Sequence, residues 1–169
     1  MKRYIADAEK SGRLSDLFDN GVEEVLEKLR LLENGKLKRA AVILFAKDPN
    51  KFYPNITVKI GRFGDDDTDL RFQEVEEGNL VHLLSAVLEQ LDHKFLTKDI
   101  DYEGMQRIEK WAYPLPALRE MLLNALVHRS YMGSMNQLRV YDNKLSLWND
   151  GMLMEGVNIE SLRGHHISR

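Results

Sequence analysis

The sequence predicts an α+β fold of mixed helices and antiparallel strands, and three observations carry that prediction. Two long stretches, Asn79–Leu96 and Tyr113–Tyr131, place leucines at helical spacing. Two shorter ones, Ile56–Phe63 and Gln137–Trp148, alternate apolar and polar residues with the period of a strand. Asp142-Asn143 interrupts the second run with a turn of the type hairpins prefer, so its two strands run antiparallel.

Bulk properties bound the function. With 169 residues, 43% of them hydrophobic, the chain can build one good core or two small domains. A net charge of −3 argues against a binder of nucleic acid by bulk charge alone. The absence of cysteine removes disulfides, thiol catalysis and cysteine-ligated metals, and it fits a reducing compartment. The N-terminus MKRYIADAEK has no apolar core of a signal peptide, and the apolar run Ala40–Ala46 is too short to span a bilayer. The expectation is a cytoplasmic protein with no membrane partner. The C-terminus RGHHISR follows a strand, a turn and the start of a helix, so the chain is expected to be a fragment of a longer protein.

In chain order, Tyr4, Ile5, Leu14, Leu17 and Phe18 could dock a short helix. Val22–Leu32 reads as a helix with Val22, Val25, Leu26, Leu29 and Leu32 on one face, ended by Asn34-Gly35. Ala40–Phe45 is apolar on both faces and ends in strand formers, which predicts a buried strand. Asp48-Pro49-Asn50 is a turn. Ile56, Val58 and Ile60 form the inward face of the next strand, with Thr57 and Lys59 outward. Gly64–Asp69 is an acidic loop whose aspartates could hold a hard cation, but the glycine and distal glutamate of a calcium loop are missing, so a solvated acidic loop is the favoured reading. Leu70–Val75 is a further short strand. Asn79–Leu96 buries Leu80, Leu83, Leu84, Val87, Leu88 and Leu91, and Thr97–Ala112 holds extended segments around Gly104.

In Tyr113–Tyr131, Pro116 suits the first turn, where its missing N–H costs nothing, and Gly133 lies just past the end. Leu118, Leu122, Ala125 and Leu126 make the apolar face. Glu120, Asn124 and His128, four residues apart, stack on another stripe. A glutamate can activate water as a general base, and an asparagine one turn later can offer its carbonyl to Mg²⁺. Asp150 beside Gly151, in the loop after the hairpin, can accept a hydrogen bond from an adenine amino group. The plainer reading is a solvated polar stripe.

A second constellation is basic. From Lys28 to Arg62 there are nine Lys and Arg (Lys28, Arg30, Lys36, Lys38, Arg39, Lys47, Lys51, Lys59 and Arg62) against Glu33 and Asp48. With Phe52, Tyr53 and Phe63 nearby, these residues could neutralise phosphates and stack on bases, or they could simply keep the strands soluble. There is no Ser-His-Asp order for acyl transfer and no phosphate-binding loop of the G-x-x-x-x-G-K-[ST] type. The adjacent His165-His166 has poor geometry for one tetrahedral ion.

Taken in order, these stretches resemble a known architecture. Gly35, Lys36, Leu37, Ala40, Ala41, Leu44, Phe45, Asp48, Pro49 and Pro54 follow the pattern of the later part of a Schlafen AlbA_2 domain. Such domains occur in bacterial transcriptional-regulator-type and RecG-like proteins. YPLPALREMLLNALVHRSY followed by LRVYDNKLSLWNDGMLMEG resembles the next domain of those proteins, which is related to the GHKL ATPases of the gyrase and histidine-kinase type.

The resemblance implies two units. Residues 1–98 would be the C-terminal part of an AlbA_2-like module, and residues 99–169 the N-terminal part of a GHKL-like α/β sandwich. It also implies Glu120 as catalytic base, Asn124 as Mg²⁺ ligand, and Asp150 with Gly151 as the adenine loop, with ATP and Mg²⁺ as cofactors. The second glycine of that loop, D-x-G-x-G in the family, is absent here, where the text reads Asp150-Gly151-Met152-Leu153. The acidic nuclease residues of Schlafens would precede residue 1, and no P-loop motor motif is present.

The expected function is therefore a regulatory, nucleic-acid-associated domain of a bacterial transcriptional regulator, non-catalytic as a fragment. DNA would be the partner of Lys36, Lys38, Arg39, Lys59 and Arg62. The alternative is a GHKL-type ATP-binding or ATPase domain of a RecG-like protein. A third possibility is a homodimer scaffold that buries the Tyr113–Tyr131 helix.

Overall fold

Ile56, Val58 and Ile60 are each 0% exposed, so the strand they predict sits at the centre of the fold. The computed structural model describes residues 21–96, 98–103 and 106–152, together with Ala6 and Lys10; for 98–103 and 106–111 it describes the backbone. In chain order the elements are α1 (Val22–Lys28), β1 (Leu32–Glu33), β2 (Lys36–Leu37), α2 (Arg39–Phe45), a 3₁₀ turn (Pro49–Lys51), β3 (Thr57–Phe63) and β4 (Leu70–Glu77). There follow α3 (Leu80–Gln90), continued by a π turn (Leu91–Phe95), then β5 (Lys98–Glu103), β6 (Gln106–Trp111), α4 (Leu115–Val127), β7 (Asn136–Val140) and β8 (Leu145–Trp148). The fold is α+β.

The main sheet has the order β4-β3-β7-β8. Its β3–β4 and β7–β8 pairs are antiparallel, as the turns require, but β3 and β7 run parallel, with Ile60 opposite Leu138. Parallel neighbours need a long crossover, and the chain from β4 to α4 supplies it. The sheet thus takes strands from both sides of the boundary expected at 98/99. Ile43 of α2, Leu83 and Val87 of α3, and Leu122 and Leu126 of α4 pack with Val58, Ile60, Leu138 and Val140 in one core on one face of the sheet.

Two local expectations are corrected. Ala40–Phe45 lies in helix α2, not in a strand. A short apolar run has no decisive period, and two alanines at its start favour the helix. The first helix stops at Lys28 and does not continue to Leu32. Arg30 takes φ 56°, Leu31 N–H donates to the Leu26 carbonyl at 2.7 Å, and Arg30 N–H donates to the Glu27 carbonyl at 2.8 Å. These are the paired bonds of a Schellman stop, made here by an arginine where glycine is usual. Asn34-Gly35 (φ 52° and 71°) is then the turn of the β1–β2 hairpin and not a helix end.

Other expectations match the structure. Asn79 caps α3 by accepting from His82 N–H at 3.0 Å. Leu118, Leu122, Ala125 and Leu126 are buried under α4, and Pro116 is in its first turn. Among the described residues no helix is long and apolar enough to cross a membrane.

Candidate functional site

The apolar face of α4 fixes its polar one. With Leu118, Leu122, Ala125 and Leu126 turned to the core, Glu120 and Asn124 are turned outward and are exposed. Asn124 Nδ2 donates to Glu120 Oε1 at 3.1 Å. His128 caps the helix and is exposed. The loop after β8 docks at that same end. Asn149 Nδ2 donates to the Ala125 carbonyl at 3.2 Å, and Ser130 N–H donates to the Asp150 carbonyl at 2.7 Å.

The Asp150 carboxylate accepts from Ser134 N–H at 2.9 Å. A Cβ on Gly133 would lie 2.0 Å from Asp150 Oδ2, and a Cβ on Gly151 would lie 2.3 Å from the His128 carbonyl oxygen. Gly151 is therefore required by close approach to backbone, whereas a side chain at Gly133 would displace the Asp150 carboxylate, so Gly133 serves the Asp150 loop more than the helix stop. The structure thus brings Asp150 and Gly151 to the C-terminal end of α4. Glu120 stands two turns earlier, about 12 Å along the axis from His128.

Arg129 is a residue that sequence reasoning missed. It is 5% exposed, and its Nη2 donates to the carbonyls of Asn55 at 2.7 Å and Ser134 at 2.8 Å. Asn55 leads into β3 and Ser134 into β7, so one guanidinium ties the starts of the two parallel strands. Burial pushes the group below its ordinary value, with Tyr131 and Asp150 pulling the other way. Tyr131, raised by burial, donates its hydroxyl to the Leu126 carbonyl at 2.9 Å. The available signal was an arginine directly after a helix and before a glycine-bearing loop.

The second region is the helix-free face of the sheet, the one that no helix covers among the described residues. Period-two geometry puts Val75, Lys59, Gln137 and Trp148 in one row across the four strands, and Gln73, Gly61, Arg139 and Ser146 in the next. An open cavity of about 680 Å³ lies on this face, with Lys59, Gln73, Gln137, Arg139 and Phe63 among its lining. A Cβ on Gly61 would fall 2.6 Å from the Phe63 ring. That aromatic therefore folds back over the sheet, where it stacks on Tyr141 with centroids 5.4 Å apart. Trp148, 45% exposed, lies on β8 in the row of Lys59 and Gln137.

The five predicted basic residues do not share one face. Lys36 and Arg39 are exposed, and Lys38 is half-buried between them at the start of α2. Lys59 lines the helix-free cavity. Arg62, three positions on, points to the opposite face and pairs with Asp142. In the acidic loop, Asp66 holds its own backbone and Asp67 reaches Arg139 and Tyr141. Among the described residues no group of three His, Asp or Glu side chains could hold a metal ion; His165-His166 lie outside the described residues.

A more apolar groove of about 1030 Å³ runs between α2 and the end of α4, with Ile43, Phe52, Tyr53, Val127 and Met132 in its walls. None of Glu120, Asn124 and Asp150 lines either cavity. Comparison of the chain with protein-family models, curated proteins and solved structures finds no match.

Proposed function

We propose that the chain is a regulatory, nucleic-acid-associated module, of the kind its resemblance to bacterial transcriptional regulators implies, and that it contacts nucleic acid through the helix-free face of its sheet. One observation carries this reading. That face combines Lys59 and Arg139 with the amides of Gln73 and Gln137 and the ring of Phe63 around an open cavity. Cations there can neutralise phosphates, amides can read base edges, and a flat aromatic can stack on a base. The same side chains would otherwise be an ordinary solvated sheet face. Lys59 is the predicted basic residue placed in this cavity, and Arg139 joins it there from β7.

The test is anisotropy titration of a labelled single-stranded oligonucleotide at several salt concentrations. Lys59→Ala is expected to weaken binding and to lower the salt slope by about one. An unchanged slope, or no binding by the parent protein, would remove the reading.

A second reading is a Mg²⁺-nucleotide surface on α4, with Asn124 as metal ligand, Glu120 as base and Asp150-Gly151 as adenine loop. The outward Glu120–Asn124 pair favours it, because a pair exposed on the far side of the helix serves no core contact. Mg²⁺ and ATP are the ligands it calls for. Calorimetric titration of Mg-ATP should then show binding whose affinity Asn124→Ala lowers at least tenfold, about the least that loss of even an outer-shell partner of a metal site costs. Equal heats in both proteins would refute the assignment of Asn124.

A further inference from the structure

The helix-free face carries its own counter-ion. Asp67 reaches across from the loop after β3, accepting from Arg139 Nη1 at 2.9 Å and from the Tyr141 hydroxyl. The loop is built to aim that carboxylate. Asp66 accepts from the Thr68 N–H at 2.8 Å, the Thr68 hydroxyl at 2.6 Å and the Asp69 N–H at 3.2 Å. Gly64 N–H donates to the Asp69 carbonyl at 2.9 Å and closes the neck. Asp66 is thus committed inside the loop, and Asp67 is the carboxylate that crosses to β7. Tyr141 is held in place by Phe63 on one side and by the Lys144 ammonium, 4.4 Å from its ring centroid, on another.

Two features make the Asp67–Arg139 contact exchangeable. The Asp67 side chain is 61% exposed and that of Arg139 39%, so the pair sits in water, where its net worth is small. A guanidinium also binds carboxylate and phosphate by the same fork of N–H donors. Lys59 lies one strand over and diagonal to Arg139, in the wall of the same cavity, as Asp67 itself does.

We infer that Arg139 and Lys59 form a phosphodiester subsite for single-stranded nucleic acid, and that Asp67 is its built-in competitor, occupying the guanidinium until a backbone phosphate displaces it. The inference rests on the proposed reading of this face and adds its regulation. A sheet face that carries the half-buried ring of Phe63 and the exposed ring of Trp148 suits unpaired bases better than a duplex, whose grooves call for a protruding element. Because each phosphate that reaches Arg139 must first release Asp67, the face would hold short or singly charged anions poorly. A longer strand can also engage Lys59 and stack on Phe63.

The experiment measures binding of a fluorescein-labelled oligothymidylate of about a dozen nucleotides, enough to span such a face. The proteins compared are the parent, Asp67→Asn and Asp65→Asn. Asp65 lies on the same loop and is exposed; its removal changes net charge equally without touching Arg139. Asp67→Asn is expected to tighten binding about fivefold and to steepen the salt slope by about one, with Asp65→Asn giving much less. Asp67→Ser should repeat the gain, and thermal melts check that each variant is folded. Binding by the parent with no gain in Asp67→Asn and Asp67→Ser, or an equal gain in Asp65→Asn, overturns the competitor role and leaves the nucleic-acid reading standing. No binding by any of the proteins overturns both.

Discussion

Arg129→Met is expected to destabilise the protein by about 3 kcal/mol, the scale for removing a buried charged donor and stranding its acceptors. The substitution keeps an unbranched apolar stem in the space but takes away the two bonds from Nη2. The Asn55 and Ser134 carbonyls then lose their donor at the point where β3 and β7 begin. Asn55 is already in a left-handed conformation, with φ 69°, so its turn depends on outside support. Both residues also line the cavity on the helix-free face. Urea unfolding should therefore show a lower midpoint at unchanged slope. Oligonucleotide binding should weaken in the folded protein, although Arg129 itself is not in the cavity lining. Arg129→Lys is expected to recover part of the stability, since an ammonium can reach carbonyls but is harder to desolvate than a guanidinium. A Met variant as stable as the parent would show that the carbonyls find other partners.

Arg129 also marks the limit of what the sequence disclosed. The face of each long element was legible, because burial imprints a period. Ile56, Val58 and Ile60 lie inward, and Leu118, Leu122, Ala125 and Leu126 lie under α4. The cap at Asn79 was legible as Gly-Asn before a leucine stripe. Periodicity records which face is covered and not which strand lies alongside. It therefore could not disclose that Ile60 pairs with Leu138, 78 positions later, in parallel. Ala40–Phe45 failed for a related reason: a run that is apolar on all sides carries no period.

The basic segment shows a different kind of error. Nine cations counted along a line suggested a surface, yet Lys59 and Arg62 are an odd number of residues apart on one strand, and that spacing alone sends them to opposite faces. Arg139 was not counted with the basic segment because it lies on a distant strand; only the pairing of β7 with β3 brings it beside Lys59. At the candidate nucleotide site, the sequence placed Glu120 and Asn124 on one stripe of one helix, and the structure keeps them there. What it could not convey is how Gly133 and Gly151 make room for the loop around Asp150.

Ile60→Ala is expected to have the largest effect on stability, a loss of about 4 kcal/mol. Ile60 is 0% exposed on β3, which has β4 on one side and β7 on the other. Its side chain belongs to the core shared by α2, α3, α4 and the sheet. A cavity opened there can collapse only if the helices move toward a strand that is hydrogen-bonded on both edges, so little of the lost packing is recovered. Since domains of this size are stable by only about 5–15 kcal/mol, the variant should melt roughly 10 °C lower. Val75→Ala is the matched control. It removes apolar carbons from the neighbouring strand of the same sheet, but Val75 is 48% exposed on the helix-free face, and the change should stay within about 0.5 kcal/mol. If the two substitutions cost the same, the helix-covered face would not be the one that holds the fold together. The burial of β3 between α3, α4 and its two neighbouring strands would then be wrong, and with it the exposure of the opposite face on which the nucleic-acid reading depends.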